Sequence, residues 1–169
     1  MGVMDVIRSR RSVRKWKDQP VDKTKLDILM KAAQDAPSAV NWQPYRFVLV
    51  DDPERRRIIS KAAAQPYLAK APLLVVGVSD PDKSPTWHLI DTTIALTHIL
   101  LAAYEVGLGG VFIGAFDEGQ VKGALGIPKD KVVGGILALG VPDAKPGPKT
   151  RKSIETLFSK NSYDVSVKP

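Results

Sequence analysis

His88-Leu89-Ile90-Asp91-Thr92-Thr93-Ile94-Ala95-Leu96-Thr97-His98-Ile99-Leu100-Leu101-Ala102-Ala103-Tyr104-Glu105-Val106 reads as the longest helix of the chain. Ile90, Ile94, Leu96, Ile99, Leu100, Leu101 and Ala102 cover nearly all of its sides, and a helix apolar all round is a buried helix. One domain built from 169 residues can hardly surround it, so a subunit interface is expected along it. Gly107 ends the helix. Gly107-Leu108-Gly109-Gly110 follows, and then a brief strand, Val111 to Ile113, that stops at Gly114. These glycines come after a helix and before a strand, the reverse of the context a dinucleotide-binding fingerprint requires. No phosphate loop of the Walker type is present either.

Outward from that helix the elements come in short order. Leu73 to Ser79 is continuous in Leu and Val, which predicts a strand buried on both faces. Before it, Arg46 to Asp51 reads as a strand, and Asp52-Pro53 as the start of a helix that runs to about Ala64 and ends at Gln65-Pro66. Residues 22 to 33 form a helix capped by Asp22, with Leu26, Leu29, Met30 and Ala33 on one face. Met4 to Ile7 begins a first helix. Downstream, Asp117 and Gln120 predict a capping box for a helix over 118–125, closed by Gly126 and Pro128. Val132 to Gly140 is the last strand. Residues 142–148 are rich in Pro and Gly, and Lys149-Thr150-Arg151-Lys152 follows. One domain over 1–158 is expected. The tail, 159–169, lacks a helical face and is expected to be disordered or laid over a partner subunit.

Composition narrows the possibilities. There is no cysteine, hence no disulfide framework, thiolate metal site or Cys nucleophile. His88 and His98 alone make a poor metal set. No apolar run is long enough to span a bilayer, and Met1 to Arg14 turns basic where a signal peptide would be apolar. A cytoplasmic protein with no membrane partner is expected. The net charge of +7 is compatible with nucleic acid, but the charge is dispersed in clusters at Arg8–Lys17, Arg55–Lys61 and Lys145–Lys152. No helix-turn-helix, zinc-finger or RNP pattern accompanies them, so no nucleic-acid partner is expected; a basic binding or scaffolding protein is the rival from another class. An anionic small ligand accounts for the first and third clusters.

The first cluster is the most informative: Ser9-Arg10-Arg11-Ser12-Val13-Arg14-Lys15-Trp16. One or two cations suit the end of the first helix through its dipole. Three arginines around a serine exceed that need, and guanidinium forks with a hydroxyl donor suit a phosphate. The loop Ala36-Pro37-Ser38-Ala39-Val40-Asn41-Trp42-Gln43-Pro44-Tyr45 carries too much apolar surface for a plain connector and suggests a ligand or subunit surface. No Ser–His pair, paired carboxylates or Gly-x-Ser-x-Gly stands out. Any reaction should therefore be carried by a cofactor.

Four blocks, in order, resemble the FMN-dependent nitroreductase family. They are Ser9 to Trp16; Ala36 to Tyr45, similar to the family's Pro-Ser-Ser-x-Asn-x-Gln-Pro-Trp; Gly107-Leu108-Gly109 with Ile113-Gly114-Ala115-Phe116 and Leu125-Gly126-Ile127-Pro128; and Leu139-Gly140-Val141-Pro142 with Lys149-x-Arg151. They span residues 4 to 155. The resemblance implies an α+β protomer with a central, mostly antiparallel sheet flanked by helices. It also implies a homodimer with a long buried interface helix and two FMN sites at the interface. Arg10, Ser12 and Arg14 would contact FMN from one subunit, with Arg11 through main chain or side chain. Pro37, Ser38, Ala39 and Asn41 would reach the same flavin from the other subunit. Ile113 and Gly114 would lie beside the isoalloxazine edge, Lys149 and Arg151 would join Arg10 at the phosphate, and Gln65 would read the pyrimidine. NAD(P)H would deliver hydride and leave, and a small-molecule electron acceptor (a nitroaromatic, a quinone or a flavin) would take its place in a ping-pong cycle. Reductive dehalogenation or flavin destruction are alternatives on the same fold. Ala39 replaces the commoner Ser, Tyr45 replaces Trp, and the short Ser79–His88 segment leaves no room for the extra helices that shape the substrate pocket of larger members.

Overall fold

Strand β2 (Leu73–Ser79) is buried at every position, as its unbroken Leu/Val content predicts. Leu74, Val76 and Val78 enter one apolar cluster with Ile59, Leu68, Val121 and Ile136; Leu73 and Val75 enter a second with Leu29, Leu96, Ile99 and Leu137. A strand that feeds two cores needs helices on both sides of its sheet. Each large apolar side chain fully buried there contributes about 1.5–3 kcal/mol.

The computed structural model describes residues 2–144, 146–165 and 167. The other strands are β1 (Tyr45–Val50), β3 (Gly109–Ile113) and β4 (Val132–Gly140), and the sheet order is β1-β2-β4-β3 with every neighbouring pair antiparallel. Six helices accompany them in these residues: α1 (Val3–Ser9), α2 (Lys23–Gln34), α3 (Pro53–Ala62), α4 (His88–Glu105), α5 (Glu118–Leu125) and α6 (Ile154–Leu157). Helices α3 and α5 cover one face of the sheet, α2 and α4 the other. This is an α+β fold with a central antiparallel sheet flanked by helices.

Helix starts follow the aspartates. Asp22 accepts from the Thr24 N–H at 2.9 Å, Asp52 from Arg55 N–H at 2.8 Å ahead of Pro53, and Asp117 from Gln120 N–H at 3.0 Å. Each cap contributes about 0.5–2 kcal/mol. The capping box at α5 is only half made. The Asp117 N–H donates to the Ala62 carbonyl instead, and the Gln120 amide donates to the Asp117 carboxylate. Tertiary contact with α3 has outcompeted the local bond.

Helix α4 departs from the expectation of apolar surface on all sides. Its inner face buries Asp91, Thr92, Ala95, Leu96, Ile99, Leu100 and Ala103. Thr93 and Thr97 are exposed, and satisfy their hydroxyls locally on the carbonyls of Leu89 and Thr93. Leu89 and Ile90 are exposed at its start.

Several short elements escape the sequence. The Ala36–Tyr45 loop contains a 3-10 turn at Ala39–Asn41, another follows Gln65 at Pro66–Lys70, and α6 precedes the tail. Strand β3 begins at Gly109, two residues earlier than its apolar run. The expectation for the tail falls partly on Ser166, Lys168 and Pro169, outside the described residues; within them, Ser159 Oγ donates to the Tyr163 carbonyl at 2.6 Å. Among the described residues no helix is long and apolar enough to cross a membrane.

Candidate functional site

After α1 the chain runs along the free edge of β3. Ser12 bridges Gly110 in parallel, the Val13 N–H donates to the Gly110 carbonyl at 3.0 Å, and the Lys17 N–H donates to the Val141 carbonyl at 2.9 Å. The indole N–H of Trp16 donates to the Gly109 carbonyl at 2.8 Å. The approach is this close because residue 109 is a glycine, while Gly110 makes room for β4 and α4 behind it. A Cβ on Gly109 would lie 2.6 Å from Val13 Cγ2, and one on Gly110 would lie 2.8 Å from the Ala138 carbonyl oxygen. The glycine cluster thus serves strand packing, and the N-terminal segment covers an otherwise open sheet edge.

With Val13 and Trp16 buried, the polar residues between and beside them turn outward. Arg10, Arg11, Ser12, Arg14 and Lys15 line a cavity of about 380 Å³ together with Gly147, Lys149 and Arg151 from the C-terminal arm. Both ends of the chain meet there. Lys15 is paired with Asp143 at 2.9 Å; that bond raises the Lys15 ammonium and lowers the Asp143 carboxyl from their ordinary values. One Arg11 nitrogen donates to the carbonyls of Arg8 and Arg10, both at 2.8 Å, so part of its guanidinium serves the end of α1. Among the described residues, no ion pair joins Arg10, Arg14, Lys149 or Arg151 to an acid. Like charges gathered around one concavity repel each other, and a bound dianion relieves that. The Arg14 guanidinium lies 6.0 Å from the centre of the Tyr67 ring, and Tyr67 lies 6.3 Å from Trp16.

Gln65 does not line this cavity. Its N–H donates to the Ser60 carbonyl at 3.0 Å and its carbonyl accepts from Ser60 Oγ at 2.9 Å, which fixes the turn that delivers Tyr67 under Arg14. Ile113 is buried at the end of β3. Gly114 is exposed, and a Cβ there would meet only the Phe112 ring, at 3.9 Å. Among the described residues, nothing in the packing calls for a glycine at this place.

Pro37, Ser38, Ala39 and Asn41 are elsewhere. Their loop is tied to α4 by the Ala39 N–H, which donates to both carboxylate oxygens of Asp91, at 3.1 and 3.2 Å. The arginine segment meets α4 at its other end, where the Tyr104 hydroxyl donates to the Ser9 carbonyl at 2.8 Å. Asp91 and Tyr104 are thirteen residues apart on α4, about 20 Å at the rise of an α-helix. One chain therefore does not bring the loop into the arginine cavity. The loop is also strained: Val40, Asn41 and Gln43 have φ of 51°, 57° and 48°. Each left-handed non-glycine residue costs about 1–2 kcal/mol.

Sequence reasoning missed Asp91, Tyr67 and the structural role of Trp16. Asp91 had a signal: it is the one acid between His88 and Glu105 in a largely apolar helix.

Comparison with known proteins matches the chain to the nitroreductase family model over residues 7–76 and 59–141. The chain belongs to the nitroreductase family. A Methanothermobacter thermautotrophicus protein provisionally named NADH dehydrogenase/NAD(P)H nitroreductase is 33% identical over 154 residues, covering 87% of this chain and 81% of that one. The solved FMN-dependent nitroreductase of Clostridium difficile R20291 is 29% identical with a TM-score of 0.88, over 95% of this chain and 99% of that one. The Vibrio harveyi NADPH:FMN oxidoreductase, solved in complex with NAD+, is 28% identical with a TM-score of 0.89, over 96% of this chain and 78% of that one. The nitroreductase fold thus covers nearly the whole chain, and membership places it among oxidoreductases. The arginine cavity, where among the described residues no acid pairs with Arg10, Arg14, Lys149 or Arg151, has the donor chemistry for a flavin mononucleotide phosphate. The open surface at Gly114 suits a flat ring.

Proposed function

We propose that the protein is an FMN-dependent NAD(P)H oxidoreductase that acts as a homodimer. The observation that carries this reading is the cavity where Arg10, Ser12, Arg14, Lys149 and Arg151 converge from both ends of a nitroreductase-family chain. Arg10, Lys149 and Arg151 would hold the phosphate, each charged hydrogen bond contributing about 1.5–3 kcal/mol. The Ser12 hydroxyl, uncommitted among the described residues, would add a donor. Arg14, kept in place over Tyr67, would favour negative charge on the ring system electrostatically. When bound, FMN would supply hydride acceptance from NAD(P)H and electron delivery to an acceptor such as a nitroaromatic, a quinone or a free flavin.

The separation of the two residue groups along α4 supports a site shared between subunits. A two-fold pairing can set the Pro37–Asn41 loop of one chain against the arginine segment of another. The exposed apolar residues near the start of α4 support it too. Val40 is 81% exposed, and Trp42, Trp87 and Ile90 are about half exposed. Such a patch needs a cover.

The test is spectroscopic and kinetic. Protein reconstituted with FMN should lose its yellow absorbance under anaerobic NADH or NADPH and regain it when an acceptor is added. A chain that binds no FMN, or holds FMN that neither nucleotide bleaches, would contradict the reading.

A further inference from the structure

The Pro37–Gln43 loop holds a costly backbone shape with little apolar burial to stabilise it. Val40, Asn41, Trp42 and Gln43 are all exposed. Within the loop, Gln43 N–H donates to Ser38 Oγ at 3.0 Å, the Gln43 amide to Asn41 Oδ1 at 2.9 Å, and Asn41 N–H to the Ser38 carbonyl at 3.0 Å. These bonds fix the loop's own shape but not its place on the body. Among the described residues, apart from the adjacent Tyr45 N–H that donates to the Gln43 carbonyl at 2.8 Å, the hydrogen-bond partner that residues 37–43 find outside the loop is the Asp91 carboxylate.

Asp91 is itself unusual. It is 3% exposed, it lies in the first turn of α4, and no cation pairs with it among the described residues. A buried carboxylate without a counter-ion is costly unless local dipoles compensate it. Here the compensation comes from the N-terminal end of α4 and from the Ala39 N–H. The charge also reaches Tyr45 at the loop's end. Burial first, and Asp91 second, raise its phenol above the ordinary value. The carboxylate thus faces the loop rather than solvent or an ion pair.

We infer that Asp91 is a positioning residue that fixes the Ser38–Asn41 loop, and with it the loop's flavin contacts, on the end of α4. The inference rests on the flavin reading of the site. Buried and bonded to the Ala39 N–H, Asp91 would act through that amide. The carboxylate accepts that N–H with both oxygens, so an amide side chain, with one acceptor oxygen, retains part of the bond and alanine retains none.

The test uses Asp91→Ala, Asp91→Asn and Ala39→Pro. The last removes the donor from the loop side. It is compatible with the backbone, because Ser38 is extended (φ −142°, ψ 158°) and Ala39 opens the 3-10 turn. Amide exchange in the flavin-free protein should rise at residues 38–43 in Asp91→Ala, while Leu73–Ser79 stays protected. FMN affinity should fall by about tenfold or more in Asp91→Ala and Ala39→Pro, and stay within about threefold of wild type in Asp91→Asn, the scale of one charge-assisted hydrogen bond. Adding Asn41→Ala to Asp91→Ala should cost less than Asn41→Ala alone, whereas adding Arg151→Ala should cost its full amount. Unchanged exchange at 38–43, wild-type FMN affinity in Asp91→Ala or Ala39→Pro, or full additivity with Asn41→Ala would each overturn the role of Asp91 alone. Failure of the wild-type protein to bind FMN would instead defeat the flavin reading on which that role rests.

Discussion

The Trp16 indole N–H donates to the carbonyl oxygen of Gly109, 2.8 Å away and 93 residues further along the chain. This bond, with the backbone bonds around it, fastens the arginine segment to the sheet. Trp16→Phe keeps most of the buried ring and loses the donor. It should cost about 1–2 kcal/mol of stability, the scale of one hydrogen bond with its acceptor left unpaired. A fall of a few degrees in the thermal midpoint and a weaker FMN affinity are expected. Unaltered values for both would show that the segment is held without Trp16.

Two glycines of β3 and its exit should respond oppositely to one methyl group. Gly110→Ala drives a Cβ against the Ala138 carbonyl at 2.8 Å, and backbone cannot swing aside as a side chain can. Overpacking of this kind costs about 1–3 kcal/mol. At Gly114 the nearest atom is 3.9 Å away, so Gly114→Ala should leave stability within about 0.5 kcal/mol. If the flavin lies against Gly114, that same change should weaken FMN binding measurably. Chemical denaturation and FMN titration of both variants check the contrast.

Arg151→Ala should weaken FMN binding by about 1.5–3 kcal/mol, the worth of a hydrogen bond to a charged group. Titration of apoprotein measures it, and an affinity equal to wild type would remove Arg151 from the phosphate site.

Acid should unfold the protein more readily. The Asp80 carboxyl is held below the ordinary 3.8, first by its hydrogen bond to Lys131, and Asp143 is lowered by Lys15. A lowered folded-state pKa gives stability that is present above the unfolded value and lost as pH falls through the folded one. Unfolding midpoints in urea should therefore hold near neutrality and decline below about pH 4. Asp80→Asn should flatten that decline. An acid slope identical to wild type would show that the Asp80–Lys131 pair contributes nothing to it.

Local chemistry made much of the fold legible. The caps at Asp22 and Asp52, the apolar run Leu73–Ser79 and the face of Leu26, Leu29 and Ala33 are decided by near neighbours, whereas Met30, expected on that face, is exposed. What could not be read depends on partners far away. Ser12 to Lys17 becomes an edge cover only because Gly109 leaves room for Val13 nearly a hundred residues later. Val40 is β-branched and avoids positive φ on its own, so the turn at Ala39–Asn41 cannot be foreseen without the acid that anchors it. Asp91 is visible as an oddity in its helix, but the direction in which it points is a tertiary fact. The arginines were legible as a cluster through their excess over what a helix end requires. Their meeting with Lys149 and Arg151 follows from the chain path along β3 and past Pro142.

The most direct test of the account is the count of intact FMN sites in a mixed dimer of one Arg14→Ala chain and one Asn41→Ala chain. If each flavin is built from the arginine segment of one subunit and the Pro37–Asn41 loop of the other, one site carries both lesions and its twin carries none. Such a dimer, titrated at concentrations where both single-variant homodimers bind poorly, should retain one site of wild-type affinity, half the normal number. A mixed dimer with no site of wild-type affinity would contradict the shared site and place both residue groups on a flavin held within one chain.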